Sequence, residues 1–377
     1  MVCLEATHNA RSPPRRCRVC IGVHFHHRFH RVRTRCSMIE LLAAPVTVPG
    51  LYQLSEEEYH ADPCPLPSLS RSIGQMMIDQ SPRHAWTAHP RLNPNIKVDE
   101  SRNERRTDIG SGAHAKLLKQ PVGIVHIDAD DYKKKDSQAQ RKEAYANGMI
   151  PLLKPDFQIV QDMISRAEDE LARNELAVIR ALVDDSLSVG VAYNEVTACW
   201  LDRLGGHWCR ARIDRLVVEE RRLTIIDYKT TEMSAAPDDV AKAIFNNAYD
   251  LQDGFYRRGI RHLFPQIDQH ELTLDFLFMV QEQKPPHEIT VARIDAAGRM
   301  IGEKKASAAV ALWDRHIKSG EWPGYPTEIK SADMPAWTET RWLAREIEDS
   351  RLQNMPFDPL TPLEASPYQP KRIMEAC

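Results

Sequence analysis

Hydrophobic positions follow a helical spacing in the middle of the chain and then alternate as they do in strands. Apolar residues at 157, 160, 164, 171, 179 and 183 share one helix face, which predicts a long amphipathic helix over 156–183. Strands are predicted next over 189–201, 207–218 and 223–230, followed by a helix over 238–261. Further strands over 272–281 and 287–294 precede a helix over 306–320. This order of elements predicts an α/β fold.

Helix signals also occur before and after this region. Ser55 with Glu58 forms a capping-box pattern at a helix start, and a second helix is predicted from Ser68 to Asp79. Residues 93–107 are polar and predict a loop, and 109–118 predict a short helix. A last helix is expected near 334–352, before a proline-rich tail. The predicted organisation is a leader over 1–37, one domain over 38–327, and a helix with a tail over 328–377.

Composition and charge exclude some classes of protein. The longest apolar runs are far too short to cross a bilayer, which excludes a membrane-spanning protein. The 8 cysteines are dispersed over 377 residues, a usage that favours a reducing, cytoplasmic location. Residues 1–37 hold eight arginines and one acid, whereas the rest of the chain has 42 bases and 52 acids. Any nucleic-acid site on this acidic body must therefore be a local basic channel.

The basic leader has several interpretations. Cys17-x-x-Cys20, with His24, His26, His27 and His30 nearby, is a candidate zinc site with poor ligand spacing. An arginine-rich segment that is nearly free of acids is also typical of a targeting leader. The favoured interpretation is a disordered leader, or translated sequence upstream of a true start at Met38.

The strongest chemical signal is a predicted hairpin. If Val218 pairs with Leu223 across the intervening turn, Asp214 lies opposite Asp227, with Cβ atoms roughly 5 Å apart. Two facing carboxylates need a proton or a cation between them, and carboxylate oxygens suit Mg²⁺ or Mn²⁺. Lys229 follows on the face of Asp227. The alternative is a purely structural salt-bridge trio.

An ordered set of motifs accompanies this hairpin. The sequence contains a helical histidine, an acid, Asp-x-Lys, Gln-x-x-x-Tyr and a closing motif; these are His114, Cys209-Arg-Ala-Arg-Ile-Asp214, Ile226-Asp-Tyr-Lys-Thr-Thr231, Tyr249-Asp-Leu-Gln-Asp-Gly-Phe-Tyr256 and Trp322-Pro-Gly-Tyr325. Over about residues 50–327, the series resembles the PD-(D/E)XK nuclease superfamily, in its RecB-like branch, and within that branch the exonuclease VIII (RecE) nuclease domain. The resemblance implies a PD-(D/E)XK core with a mixed central sheet flanked by helices.

The resemblance also implies roles for individual residues. A Mg²⁺ ion, which Mn²⁺ can replace, would be held by His114, Asp214, Asp227 and the Tyr228 carbonyl, and Glu195 would reach it through water. Lys229 would orient or deprotonate the attacking water and stabilise charge on the phosphate. Gln252 and Tyr256 share a helix face and would address the scissile phosphate or order the site. An iron–sulfur cluster is not expected, because only Cys377 follows the Gln/Tyr helix.

Candidate contacts to DNA come from basic residues. Arg210 and Arg212 are expected near the cleft, where buried arginines need an anionic partner. Lys133, Lys134 and Lys135 are expected to form a solvated face, with a grip on DNA phosphates as the second interpretation.

By resemblance, the predicted activity is Mg²⁺-dependent exonucleolytic hydrolysis of linear double-stranded DNA, running 5′ to 3′ for recombination, as in phages and prophages. A homo-oligomeric ring and a single-strand annealing protein or recombinase as partner are expected. The alternatives are an endonuclease or flap-type nuclease on the same core, and a non-catalytic DNA-binding scaffold.

Overall fold

The computed structural model describes residues 39–95 and 104–349. The helices are α1 to α11, which span in order Glu56–His60, Arg71–Asp79, Pro82–Ala88, Glu104–Leu117, Lys135–Ala146, Lys154–Leu171, Ala177–Arg180, Pro237–Asn246, Tyr249–Leu263, Ala296–Ser319 and Ala336–Glu348. The strands are β1 to β9, which span in order Gly50–Gln53, Leu69–Ser70, Ile124–Ile127, Ile150–Leu153, Val191–Leu201, Trp208–Val218, Arg222–Thr231, Thr273–Glu282 and Ile289–Ala292. One compact unit extends to Gly324, and a second, which contains α11, begins at Tyr325.

A seven-stranded mixed sheet forms the centre of the first unit. Its order is β1-β5-β6-β7-β8-β9, and the short strand β2 pairs in parallel with the beginning of β6. The pair β7–β8 is parallel, and the other neighbours are antiparallel. This confirms the predicted α/β class and the mixed central sheet flanked by helices.

Strand β6 changes partners halfway along one edge. Its residues 209–210 pair with β2, and its residues 215–218 pair with β7 in the predicted register, in which Val218 faces Leu223. Among the described residues, no strand pairs with this edge over 211–214, because β7 has separated from β6. The gap leaves Asp214 at the point where the two strands divide.

Two hydrophobic cores cover the two faces of the sheet. Alternation along β7 sends Ile225 into the core that contains Phe255 of α9 and Trp313 of α10, and sends Ile226 into the other core. Helices α4 and α6 close this second core. Helix α4, which carries the predicted site residue His114, and helix α9, which carries the predicted site residue Gln252, therefore pack against opposite faces of the sheet.

Several predicted elements differ in the structure. The predicted helix over 238–261 is two helices, because Ala248 takes a left-handed backbone (φ 53°) between α8 and α9. Arg71 Nη2 donates to the Asn247 and Ala248 carbonyls at 2.6 and 2.8 Å, which satisfies this break. The predicted helix over 156–183 ends at Leu171, and the helix predicted over 306–320 begins at Ala296.

Other differences concern elements that the sequence pattern missed. The small parallel sheet β3–β4, helix α3 and helix α5 were not predicted.

The capping box of Ser55 and Glu58 is confirmed, with both hydrogen bonds formed. The leader over 1–37 and the tail after 349 lie outside the described residues. None of the described helices is long and apolar enough to cross a membrane.

Candidate metal and catalytic site

Three predicted metal ligands come together at the gap between β6 and β7. His114, Glu195 and Asp214 each offer a ligand atom, and these atoms lie within 4.8 Å of one another. His114 Nε2 is 2.9 Å from Asp214 Oδ2, and His114 Nδ1 is 3.5 Å from Glu195 Oε1. The three side chains retain 17–21% of their exposure, so the cluster is reachable from solvent.

Each ligand is placed by a different element. His114 projects from α4, Glu195 from β5 and Asp214 from β6. Glu195 has a left-handed backbone (φ 51°) in the middle of its strand, a conformation that costs a non-glycine residue about 1–3 kcal/mol. Its neighbours Asn194 and Val196 pair with Arg215 and Ile213, so Glu195 and Asp214 face each other across the distortion.

Asp214 is oriented differently from the simple hairpin prediction. Besides its contact with His114, Asp214 Oδ2 accepts a 3.0 Å hydrogen bond from the Tyr228 backbone N–H, so this carboxylate lies between the separating strands. Ile213 and Leu216 share one core although strict alternation would send them to opposite faces. Strand β6 is therefore irregular at Asp214, and the Asp214 carboxylate contacts His114 and the Tyr228 N–H.

Asp227 belongs to a second group of polar residues beside the first. Gln252 Nε2 of α9 donates to Asp227 Oδ1 at 2.5 Å, and Lys229 Nζ lies 2.8 Å from Asp227 Oδ2. Asp227 Oδ2 makes no well-aligned hydrogen bond. The Lys229 ammonium also lies 5.4 Å from the centre of the Tyr249 ring, so α9 covers this side of the site.

Burial and neighbouring charges shift the acid and base strengths in the site. Burial raises the pKa of Asp227 to about 6 against the opposing influence of Lys229. Burial and the charge of Asp214 likewise raise the pKa of Glu195. For Asp214, burial acts in the same direction but is outweighed by His114 and Lys229, so its pKa is lowered. Burial opposes charge on His114, yet Asp214 and Glu195 prevail and raise its pKa.

These residues fit a hard divalent cation. The cluster concentrates two carboxylates and an imidazole, and a carboxylate oxygen of Asp227 is buried without an aligned hydrogen bond. Like charges this close are costly unless a proton or a cation lies between them. A donor set of carboxylate oxygens with a single imidazole suits Mg²⁺ or Mn²⁺ better than it suits a soft metal.

The two predicted DNA-binding arginines have different surroundings. Arg212 Nε lies 2.6 Å from Glu195 Oε2 at the site, and the Arg212 side chain remains 18% exposed. Arg210 is 3% exposed, and its Nη1 lies 3.1 Å from Asp62 and 2.7 Å from both the Ser68 carbonyl and the Ser68 hydroxyl. Arg210 thus has a buried structural role in place of the predicted position facing a phosphate.

The remaining predicted residues lie at varying depths. Tyr256 is buried on α9, packed against Phe276, and burial raises its pKa well above the usual value. Lys133, Lys134 and Lys135 are exposed at the start of α5, beside the small sheet, and Lys133 pairs with Asp131 at 3.0 Å. Their predicted contact with DNA stays a prediction.

One residue of the site was missed in the sequence. Gln120 Nε2 lies 2.7 Å from His114 Nδ1 and also donates to Glu195 Oε1. No periodicity or motif points to Gln120, because its position depends on the turn that ends α4.

Fold and site together define a mixed α/β protein of the PDDEXK-like class with a candidate divalent-metal centre. The chain belongs to the family described as "PDDEXK-like domain of unknown function (DUF3799)", which matches residues 110–334 and so includes every candidate ligand. No curated protein matches the sequence. The crystal structure of a "putative exonuclease" from Eubacterium rectale is similar with a TM-score of 0.44 and 12% identity, over 76% of this chain and 98% of that one.

Proposed function

We propose that the chain is a metal-dependent deoxyribonuclease that hydrolyses phosphodiester bonds from the ends of linear double-stranded DNA. One observation carries the proposal. In a chain of the PDDEXK-like family, the ligand atoms of His114, Glu195 and Asp214 cluster within 4.8 Å, directly beside the pair formed by Asp227 and Lys229. Metal ligands next to a lysine suit the hydrolysis of an anionic ester, because both cations stabilise negative charge that develops on the phosphate.

Several residues of the site would bind the metal ion. His114, Glu195 and Asp214 would hold the ion, and Asp227 and the Tyr228 carbonyl would complete its surroundings. A bound divalent ion supplies Lewis acidity towards the phosphate and lowers the pKa of a coordinated water. Uncatalysed phosphodiester hydrolysis is so slow that one lysine alone cannot supply the necessary stabilisation.

Lys229 is an ammonium in the metal-free protein. Burial opposes its charge, but Asp227 and Asp214 outweigh burial and raise its pKa. An ammonium donates hydrogen bonds and accepts no proton. In this metal-free state Lys229 can donate to a water or to a phosphate oxygen. Both of its predicted roles, orienting and deprotonating the attacking water, stay part of the proposal.

Gln252 acts on the site through Asp227. Its amide holds one carboxylate oxygen of Asp227, which leaves the other directed at Lys229. Tyr256, one turn further along α9, is buried against Phe276. In this arrangement Gln252 orders the site, and Tyr256 supports the helix from which Gln252 projects.

An open cleft leads to the lysine. It has a volume of about 880 Å³, and its walls include Arg71, Lys229 and Tyr249. Lys242 also lines it, paired with Asp239 at 3.0 Å, as does Glu232. Cations and an aromatic ring in one cleft suit a nucleic-acid strand, whose phosphates are anionic and whose bases stack. Arg212 contributes a further guanidinium at the metal cluster.

The finer parts of the proposal rest on the resemblance described above. They are Mg²⁺ as the working ion, 5′-to-3′ polarity, a homo-oligomeric ring around DNA, and an annealing protein or recombinase that takes the single strand. Light scattering on the purified protein, with and without DNA, measures the oligomeric state.

The decisive experiment compares two DNA substrates. End-labelled linear duplex and closed circular DNA are incubated with Mg²⁺, Mn²⁺ or EDTA, using wild type, Lys229→Ala and Lys318→Ala. The control lysine, Lys318, is 63% exposed on α10 and does not line the cleft. We expect loss of the linear DNA only, with metal only, in wild type and in the control variant, and about 10²–10³-fold slower loss in Lys229→Ala.

Each other outcome has a definite meaning. Cutting of the circle as well would retain the metal chemistry and replace the exonuclease with an endonuclease. No cutting of either substrate with either metal would reject the nuclease, and Asp227 and Lys229 would then be a structural pair in a DNA-binding scaffold. The end from which label is lost first gives the polarity.

A further inference from the structure

Helix α4 ends in a turn that carries one polar side chain back to the metal cluster. Lys119 takes a left-handed backbone (φ 53°), and its N–H bonds to the Lys116 carbonyl at 3.2 Å. The Gln120 N–H bonds to the Ala115 carbonyl at 2.8 Å. This pair of bonds is a Schellman motif, in which the residue after the left-handed position folds back against the last helical turn. Gln120 is thereby fixed beside His114.

The left-handed position is notable because it is occupied by a lysine. Glycine is the usual residue there, and a side chain in this conformation costs about 1–2 kcal/mol. Lys119 forms an ion pair with Asp185, so the lysine also connects this turn to another segment. Because the Lys119 side chain contacts Asp185 and not Gln120, Lys119 can be substituted while the amide of Gln120 is kept.

The Gln120 amide nitrogen contacts two of the three candidate ligands. It lies 2.7 Å from His114 Nδ1 and donates a hydrogen bond to Glu195 Oε1. A primary amide nitrogen has two protons and no acceptor site, so it donates to both partners. A neutral His114 then accepts at Nδ1 and carries its proton on Nε2, which is directed at Asp214 Oδ2 2.9 Å away.

This tautomer is the wrong one for a metal on Nε2. Ligation through Nε2 requires the ring proton to be on Nδ1, where it needs a hydrogen-bond acceptor. Rotation of the Gln120 amide by half a turn offers its carbonyl oxygen to Nδ1–H and withdraws the donor from Glu195. The same rotation thus prepares His114 for ligation and frees the Glu195 carboxylate.

We propose that Gln120 is a positioning residue that couples the two ligands, holding His114 and Glu195 in a closed pair without metal and releasing both together when metal binds. This inference rests on the proposed metal site. Gln120 contacts neither substrate nor the reacting atoms, and it acts through His114 and Glu195. Partners of this kind in metal sites typically change metal affinity about 10–100-fold when they are removed.

The test measures Mn²⁺ affinity by calorimetry and the His114 tautomer by ¹⁵N NMR with and without diamagnetic Mg²⁺, at alkaline pH. The proteins are wild type, Gln120→Leu, Gln120→Glu and Lys119→Gly, and His114→Asn assigns the histidine signal. Gln120→Leu removes both contacts, whereas Gln120→Glu supplies a permanent acceptor for Nδ1–H and repels Glu195. Lys119→Gly retains the Schellman motif and serves as the matched control.

We expect wild type to change from the Nε2–H to the Nδ1–H tautomer on binding Mg²⁺. Gln120→Glu should show the Nδ1–H tautomer before metal is added and bind Mn²⁺ at least as tightly as wild type. Gln120→Leu should bind Mn²⁺ about 10–100-fold more weakly, and Lys119→Gly should match wild type. A purely structural glutamine would move the melting temperature and leave the tautomers unchanged.

Two results would overturn the inference in distinguishable ways. If wild type binds Mn²⁺ but Gln120→Leu binds it equally tightly, or the tautomer does not change, Gln120 has no positioning role and the metal site stands. If wild type binds neither metal, the metal site and the proposed nuclease fail together with the inference.

Discussion

Gln252 Nε2 donates a 2.5 Å hydrogen bond to Asp227 Oδ1, which joins helix α9 to strand β7 in the buried part of the candidate site. Both side chains are almost fully buried. The bond therefore determines how a buried carboxylate with a raised pKa is presented to Lys229. Its two residues lie 25 positions apart in sequence, so the orientation depends on the packing of α9 against the sheet.

Removal of this bond should impair the site more than the fold. We expect Gln252→Leu to lower metal-dependent cleavage about 10–100-fold, because Asp227 loses the partner that orients it. The buried Asp227 Oδ1, left without its hydrogen-bond donor, should cost about 1–3 kcal/mol of unfolding free energy. Cleavage rates and urea denaturation measure the two effects. Gln158→Leu, at an exposed glutamine of α6 that donates to Asp162 and does not line the cleft, is the control, and equal rates in the two variants would contradict the role of Gln252.

Metal binding should stabilise the protein through Asp214. Because a ligand that binds only the folded state adds RT ln(1 + [L]/Kd), Mn²⁺ at 100 times its Kd should add about 2.7 kcal/mol. Thermal unfolding with Mn²⁺ or with EDTA measures this gain. Asp214→Asn should lose it, whereas Asp128→Asn should retain it because Asp128 is 84% exposed and paired with Lys154. An undiminished gain in Asp214→Asn would remove Asp214 from the metal site.

The register of the central hairpin could be predicted from sequence. A short turn between Val218 and Leu223 allows few pairings, and the apolar alternation of both strands selects one of them. This register is confirmed where the strands pair. The position of Asp214 close to Asp227 follows from this register.

The orientation of individual side chains could not be predicted. Asp214 turns between the strands because β6 and β7 separate there. Glu195 reaches the cluster through a left-handed backbone, and a glutamate in the sequence does not indicate that conformation. The break between α8 and α9 likewise occurs at Ala248, without glycine or proline. Arg210 was assigned to DNA because its pattern shows the need for an anionic partner but does not show that Asp62 supplies it.

Metal affinity should fall as the pH is lowered. The pKa of His114 is raised by Asp214 and Glu195 in spite of burial, and burial raises the pKa of Asp227 to about 6. Since metal ligation needs neutral imidazole and ionised carboxylates, binding releases protons and weakens below these pKa values. Calorimetry in buffers of different ionisation enthalpy counts the protons released. His114→Asn should release fewer, and an unchanged count would exclude His114 as a ligand.

The buried contacts of Arg210 should matter for stability. Arg210 and Asp62 are both nearly inaccessible, and loss of Arg210 removes the closest charged partner of Asp62, which keeps the hydrogen bonds from Ser68 and a 3.8 Å contact with Arg91. We expect Arg210→Met to cost about 3–5 kcal/mol in urea denaturation. Arg203→Met, at a side chain that is 68% exposed, should change stability by less than about 0.5 kcal/mol. Similar stabilities for the two variants would show that Arg210 is free to serve elsewhere.

The crossing of α9 and α10 should tolerate no side chain at Gly302. A Cβ atom at Gly302 would lie 2.1 Å from the Asp250 backbone oxygen, and one at Gly254 would lie 2.5 Å from the Gly302 backbone. Backbone atoms cannot rotate away as a flexible side chain does, so Gly302→Ala must push α10 off α9. We expect a loss of about 1–3 kcal/mol in unfolding free energy.

The same displacement should reach the candidate site. Gln252 lies on α9 two residues before Gly254, so movement of this helix changes the bond to Asp227. Cleavage in Gly302→Ala should therefore fall even at temperatures where the variant remains folded. Gly324→Ala is the matched control, because its Cβ would meet only the side chain of Arg83 at 3.6 Å. A Gly302→Ala protein that is less stable but fully active would show that α9 holds Gln252 independently of α10.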